Sequence, residues 1–274
     1  MKAQNKTIVV TGAGSGIGRE LSLLLLQKQA NVAAVDLNPE ALAETRKIAG
    51  VGDDRFKAFV LDITDKEKVD ALPGEVVKYF GSVDGLINNA GIIQKFIPVN
   101  DLPIDQINRV MNVNFYGMLN MTKAFLPLFL ERPEAHVVNI SSMGGFIPFP
   151  GQTIYGAAKA AVKIFTEGLY AELRETNVRV TVVHPGAIAT NITANSGLGG
   201  PKIDPATAKP GLALSPAKAA EIIIWAMEKN KFRATVGKDA YILDKLYRLC
   251  PGFATNFIGK MMKKSLKQLP GNTH

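Results

Sequence analysis

The chain predicts an α/β fold, a doubly wound parallel sheet of about seven strands with helices on both faces. Three observations carry that expectation. Short apolar runs alternate with helical patterns along most of the chain, the rhythm a parallel sheet requires because each crossover consumes a helix. The first of those runs, Thr7 to Thr11, is β-branched without alternation, as a parallel strand buried on both faces is. A glycine-rich turn joins the first run to the first helical pattern, where sheets of this kind bind nucleotides.

Each element has its own reason. Thr7 to Thr11 is a β-branched run that leads into Gly12-Ala13-Gly14-Ser15-Gly16-Ile17-Gly18, then a helical pattern through Leu21, Leu24 and Leu25. The spacing is Gly-x-x-x-Gly-x-Gly at Gly12, Gly16 and Gly18; the stricter Gly-x-Gly-x-x-Gly fails at Ile17. The physics is shared, since glycines permit a tight turn and close approach, and the following helix N-terminus suits a pyrophosphate. A second strand, Asn31 to Val35, ends at Asp36, the place from which a carboxylate reaches ribose hydroxyls and repels a 2′-phosphate. NAD is therefore expected in preference to NADP. The plainer reading of Asp36 is a solvated residue opening the Asn38-Pro39 turn, and Arg19, behind the loop, has room to face solvent.

Helical character over Ala41 to Ala49 precedes a third strand, Phe56 to Leu61, ending at Asp62-Ile63. Lys66 to Phe80 reads as a helix interrupted at Pro73-Gly74. Val83 to Asn88 is a fourth strand running into Asn89-Ala90-Gly91, and Ile104 to Leu130 reads as one long helix carrying Asn112 and Asn114. Ala135 to Ile140, the fifth strand, delivers Ser141-Ser142; Gln152 to Thr176 is a helix; Val178 to Val183 is the sixth strand, with His184-Pro185-Gly186 as its exit. Residues 187–214, rich in Gly, Pro, Ala and Thr, are expected to form a mobile substrate lid. Pro216 to Glu228 is a helix and Ala234 to Val236 a last strand.

Composition narrows the function classes. Hydrophobic residues make up 47% and charged residues 20% of 274, which supports a sizeable core. Cys250 is the sole cysteine, and His136, His184 and His274 fit no common ligand spacing, so neither a disulfide framework nor a metal site is expected. The first strand starts too near residue 1 for a signal peptide, and the leucine run at Leu23 to Leu26 is too short to span a bilayer. A soluble cytoplasmic protein is expected. The net charge of +8 is uneven: Lys238, Lys245, Arg248, Lys260, Lys263, Lys264 and Lys267 face only Asp239 and Asp244 beyond residue 237. No basic stripe with interleaved aromatics marks the body, so nucleic acid is not an expected partner.

The chemistry is expected at Tyr155-Gly156-Ala157-Ala158-Lys159, because residues four apart on a helix converge on one bound molecule. A free tyrosine with a pKa of about 10 is a poor base near pH 7, and a nearby cation lowers that value. Taken alone, the spacing is common and reads more readily as an ordinary helical pair.

Together, Thr11 to Gly18, Asn88 to Gly91, Asn114, Ser142, Tyr155 with Lys159, and Pro185-Gly186 with Thr190 resemble the classical short-chain dehydrogenase/reductases. The resemblance covers about residues 5–237 and preserves the family's motif order. It implies a Rossmann-type seven-stranded sheet, a nicotinamide cofactor and a catalytic tetrad of Asn114, Ser142, Tyr155 and Lys159. Ser142 is preferred to Ser141 for its separation from Tyr155, and Asn114 to Asn112 for its resemblance to the family's Asn-apolar-x-Gly signature. The implied cofactor contacts are Gly12, Ser15, Gly16, Ile17 and Gly18 at the loop, Asp36 and Leu37 after the second strand, and Asp62 and Ile63 at the adenine. Asn89, Ala90 and Gly91 follow on the ribose side, with Tyr155, Lys159, Pro185, Gly186, Ile188 and Thr190 toward the nicotinamide. Lys159 would bind the nicotinamide ribose and lower the Tyr155 pKa, while Asn114 would orient water linking that lysine to bulk. The resemblance also implies a homodimer or homotetramer paired through the helices carrying Asn114 and Tyr155.

Phe146, Ile147, Pro148 and Phe149, with Ile92, Ile93 and Phe96, suggest an apolar alcohol or carbonyl substrate, against the plainer reading of core packing. Residues 1–237 are read as one catalytic domain and 238–274 as a basic, partly amphipathic extension. In that extension Leu243, Leu246, Tyr247 and Cys250 follow helical spacing, and Phe257, Ile258, Met261 and Met262 sit among lysines. Two readings stand: a helix closing the substrate site or a subunit interface, or a peripheral contact with an anionic membrane. Other function classes are a nicotinamide-nucleotide-sensing regulatory protein, which has no need of Ser142, Tyr155 and Lys159 together, and a sugar-nucleotide epimerase or dehydratase, which usually carries a larger C-terminal substrate domain.

Overall fold

The structure, a computed structural model, describes residues 1–198 and 213–266. The centre of the expected lid, 199–212, and Lys267 lie outside the described residues.

Seven parallel strands form one sheet in the order β3-β2-β1-β4-β5-β6-β7. They are β1 (Thr7–Thr11), β2 (Asn31–Asp36), β3 (Phe56–Val60), β4 (Gly85–Asn88), β5 (Ala135–Ile140), β6 (Val178–Pro185) and β7 (Arg233–Val236). β1, β4 and β5 are buried along their whole length, which is why their apolar residues do not alternate with solvated ones, and their polar members Thr7, Thr11, Asn88, His136 and Asn139 are buried as well. The helices are α1 (Gly16–Gln27), α2 (Pro39–Ala49), α3 (Lys66–Phe80), α4 (Ile104–Met111), α5 (Met118–Leu130), α6 (Thr153–Glu172), the single turn α7 (Ile192–Asn195), α8 (Pro216–Glu228), α9 (Lys238–Leu249) and α10 (Pro251–Leu266).

Two cores cover the two sheet faces. On one, Leu21 and Leu25 of α1 meet Ile223, Ile224 and Met227 of α8; on the other, Val69, Leu72 and Val76 of α3 meet Phe125 and Phe129 of α5 and Leu169 of α6. Chain order reverses between β1 and β4, so the crevice at their carboxyl ends is the place for a ligand.

Two helical expectations change. Pro73 does not interrupt α3: Asp65 caps the helix by accepting the Lys68 N–H, and the buried Val69, Leu72, Pro73 and Val76 hold it as one helix. Packing there outweighs the roughly 3 kcal/mol local preference against an interior proline. Ile104 to Leu130 is not uniform α-helix, because a π-helical turn over Asn112–Gly117 separates α4 from α5. Such turns often occur at functional sites, and this one carries the buried Asn114.

A third apolar cluster gathers Ile147, Ala254 and Ile258, with Phe146, Phe149, Leu243, Leu246, Tyr247 and Met262 packed around them. The C-terminal helices therefore fold back onto the loop after Ser142. Ile147, expected at the substrate, is fully buried against α10, and Phe146 lies edge-on to the His184 ring.

Candidate active site

The cleft at the strand ends is a cavity of about 940 Å³, within the size range of cofactor sites. Its cofactor wall is set by backbone shape. Gly12 and Gly16 have φ of +68° and +52°, and a Cβ at Gly18 would lie 2.0 Å from the Gly12 carbonyl oxygen, so the turn closes only without side chains. Ser15 caps α1 in extended conformation, and no acidic residue occupies the first turn of that helix, which leaves its N-terminus open to an anion. Asp36 accepts the Gly14 N–H at 2.9 Å and the Asn38 N–H at 3.0 Å, fixing its carboxylate at the cleft rather than in solvent. Arg19 is not a solvent-facing residue either: it donates to the Gly14 carbonyl at 2.6 Å and pairs with Glu44 at 2.6 Å, buttressing the loop from behind.

The opposite wall is made of side chains, with Lys159 and His184 buried and Ser142 and Tyr155 half-buried. β5 delivers two serines that diverge: Ser141 donates to the Lys159 carbonyl at 2.7 Å and belongs to the framework, while Ser142 lines the cleft. The Ser142 hydroxyl accepts the Gly144 N–H at 3.0 Å, and it borders Gly144 together with the Tyr155 ring, so the two side chains stand side by side at the cleft. The Ser142 carbonyl accepts from His184 Nδ1 at 3.1 Å. Burial keeps His184 neutral, with a pKa down to about 4. Lys159 Nζ donates to the Ile140 carbonyl at 3.0 Å and stands 6.0 Å from the centre of the Tyr155 ring.

Burial acts on both members of the tyrosine–lysine pair. It pushes the Lys159 ammonium down to about 8 and holds the Tyr155 phenol above its ordinary value, with the neighbouring Ser142 hydroxyl opposing only part of that rise. The expectation that Lys159 lowers the Tyr155 pKa is therefore not met by this chain's own groups alone, because desolvation is the larger effect.

All the expected cofactor contacts line the cavity except Gly18, which acts through the turn geometry. Asn114 also stands behind the wall. Its Nδ2 donates to the Ile92 carbonyl at 2.8 Å and its Oδ1 accepts the Ile92 N–H at 3.1 Å, so it clamps the loop after Gly91. A Cβ at Gly91 would lie 2.7 Å from Asn114 Oδ1 and 3.2 Å from Lys159 Nζ, which places both beside that backbone. Asn112 is exposed at the cleft edge. The described limb of the expected lid reaches across: Asn195 donates to the Ser15 hydroxyl at 2.8 Å, and Ser196 accepts the Ile93 N–H at 2.9 Å.

Sequence reasoning missed Gln94. Its buried carboxamide oxygen accepts the N–H groups of Ile154 and Tyr155, each at 2.9 Å, and its nitrogen donates to the Gly151 carbonyl at 3.0 Å. It thus caps α6 directly at the tyrosine. The available signal was a polar pair, Gln94-Lys95, within the otherwise apolar stretch Ile92 to Ile97. Among the described residues, no group of three potential metal-ligating side chains comes together.

Comparison with known proteins agrees with this geometry. The short chain dehydrogenase family model matches residues 6–199. The chain belongs to the short-chain dehydrogenases. A Mycobacterium tuberculosis protein named as the oxidoreductase SadH is 40% identical over 252 residues, 90% of this chain and 91% of that protein. A Burkholderia cenocepacia short chain dehydrogenase in complex with NADP is 28% identical, with a TM-score of 0.78 over 94% of this chain and 99% of that one. A Brucella melitensis 3-ketoacyl-(acyl-carrier-protein) reductase complexed with NADH is 26% identical, with a TM-score of 0.75 over 85% and 96%. As a short-chain dehydrogenase, the chain is an oxidoreductase of the kind that acts on CH–OH groups with a nicotinamide cofactor.

Proposed function

We propose that this short-chain dehydrogenase interconverts an apolar alcohol and its ketone or aldehyde with NAD. The observation that carries the reading is Tyr155, beside Ser142 and backed by Lys159, on the wall of the same cavity that Gly12, Gly16 and Asp36 close at its other side. The glycine cradle, the open α1 N-terminus and a carboxylate at the end of β2 fit a dinucleotide. When bound, a nicotinamide supplies or accepts the hydride. The chain's own task is to place the substrate oxygen and move one proton.

Ser142 holds that oxygen, and Tyr155 gives it a proton in reduction or takes the hydroxyl proton in oxidation. At pH 7 the phenol is neutral and Lys159 is charged, so the resting site is set to donate. A phenolate formed during turnover stands beside the ammonium, the arrangement in which burial penalises its charge least. Asn114 has already committed one N–H and one lone pair to Ile92, leaving one of each for the water-orienting role that the family resemblance implies.

NAD is favoured by Asp36, whose carboxylate would repel a 2′-phosphate, and Ile92, Ile93 and Ile192 supply an apolar lining. Exposed Ile104, Tyr116 and Ile164, on or between α4 and α6, support pairing of subunits through those helices. A panel of alcohols and ketones assayed with NAD and NADP in parallel tests the reading. We expect bulky apolar alcohols to outpace small sugars and NAD to outpace NADP. Activity with NADP alone would defeat the role given to Asp36.

A further inference from the structure

Helix α10 is apolar on two faces. Ala254 and Ile258 are buried, and with Met262 they pack toward Ile147 and Phe149. This inner face packs on the loop that follows Ser142. The outer face is unaccounted for. Phe253, Phe257 and Met261 recur every four residues and are 62%, 44% and 53% exposed, and Leu249, at the junction with α9, is 80% exposed. The Phe253 and Phe257 rings stack on each other with centroids 6.2 Å apart. Large aromatic and sulfur-bearing side chains held together in water, with no partner among the described residues, mark an interaction surface.

Charge selects the occupant. α10 contains Lys260, Lys263 and Lys264 and no acidic residue. The two acids of α9 are both engaged: Asp239 accepts the Ala187 N–H at 2.7 Å, and Asp244 is paired with Arg233 at 2.8 Å and Arg248 at 3.1 Å. A second copy docked α10 on α10 would set lysines against lysines, and the exposed apolar residues of α4 and α6 already offer a different face for pairing. An exposed apolar row on a helix that carries lysines and no acidic residue is instead the pattern of a helix lying in a lipid interface.

We propose that the outer face of α10 docks the protein on an anionic phospholipid surface, with Phe253, Phe257 and Met261 entering the interface and Lys260 meeting the headgroups. Its inner face connects this surface to the active site. Phe149, packed with the α10 cluster, approaches the same Gly144 methyl position that Tyr155 borders, at 3.6 Å and 3.5 Å. The docked enzyme would thus present its substrate side near the lipid. This connection rests on the apolar-substrate reading, whereas the docking itself does not.

The test is co-sedimentation of the full chain with phosphatidylcholine/phosphatidylserine vesicles and with pure phosphatidylcholine vesicles. Binding to the anionic vesicles is expected to exceed binding to the neutral ones and to fall with added salt. Phe253→Ser/Phe257→Ser should weaken it by about tenfold or more, and Lys260→Glu by about fivefold on anionic vesicles only. Turnover of a water-soluble alcohol should be unchanged in both variants, which separates lost docking from lost folding or a wrong enzymatic reading. Should the double serine variant fail to fold, Lys260→Glu and the salt series on the wild type decide. No binding by the wild type, equal binding by the double variant, or a double variant that only dissociates a dimer in sedimentation velocity would overturn the proposal, the last assigning the ridge to a second copy.

Discussion

The β1–β3 half of the sheet and the β4–β7 half hold their sides of the cleft by different means. The first does so with backbone: Gly12 and Gly16 in left-handed conformations, Gly18 against a carbonyl, and Asp36 anchored by two N–H groups. The second uses side chains, namely Ser142, Tyr155, Lys159, His184, Asn114 and Gln94, with burial disfavouring the charged forms of Tyr155, Lys159 and His184 and hydrogen bonds fixing Asn114 and Gln94. Shape is insensitive to pH; buried titratable groups are not. A site divided in this way can keep nucleotide binding constant while its proton chemistry responds to conditions.

Acid should separate the halves most strongly. His136 in β5 and His184 in β6 are held neutral by burial, with pKa values down to about 3 and about 4. Both lie below the unfolded value near 6.5, so the unfolded chain takes up protons first. Their contribution is complete above about pH 6.5 and is lost as pH falls toward 4 and 3. Urea unfolding should show stability reduced by on the order of 5 kcal/mol between pH 7 and pH 4. Hydrogen exchange should open residues 135–140 and 178–185 before residues 7–11 and 31–36. Simultaneous loss in both halves would break the distinction.

Gly18→Ala attacks the glycine loop. Its added methyl meets the Gly12 carbonyl and also Asn89 Nδ2 after β4, so nucleotide affinity should fall about 100-fold, equivalent to about 3 kcal/mol, while the pH profile of turnover keeps its shape. Unaltered affinity by calorimetry would show that the loop is no cradle.

A smaller, opposite effect is expected from Gln94→Ala. The N–H groups of Ile154 and Tyr155 lose their acceptor, a change worth about 1–2 kcal/mol. The turnover number should drop about tenfold with nucleotide affinity preserved, and Gln94→Glu, which keeps the acceptor, should recover part of it. Parallel loss of both quantities would contradict a role confined to α6.

What was readable in the sequence follows the same division. Seven strands and the glycine loop were legible because backbone requirements leave direct marks: glycines where Cβ cannot fit, β-branched runs where both faces are buried. Ser142, Tyr155 and Lys159 were legible by spacing and by family resemblance, and the structure puts them on one wall. Gln94 was not, because a side chain that caps a helix 60 residues away leaves no local pattern. Nor was the π-helical turn at Asn114, since its helical periodicity continues on both sides. The rise in the Tyr155 pKa was hidden for a third reason: spacing announces a neighbouring cation but not the depth of burial that opposes it. The C-terminal helices combine both situations, with Ile258 and Met262 turned inward and Phe257 and Met261 outward from one amphipathic run.

Hydride transfer in a single turnover by Tyr155→Phe, measured alongside nucleotide affinity, tests the account most directly. It predicts a rate lower by roughly 10²–10⁴-fold, the usual worth of a positioned proton donor, with affinity for NAD retained. Transfer at close to the wild-type rate would contradict it, because the proton would then come from a group other than the phenol between Ser142 and Lys159.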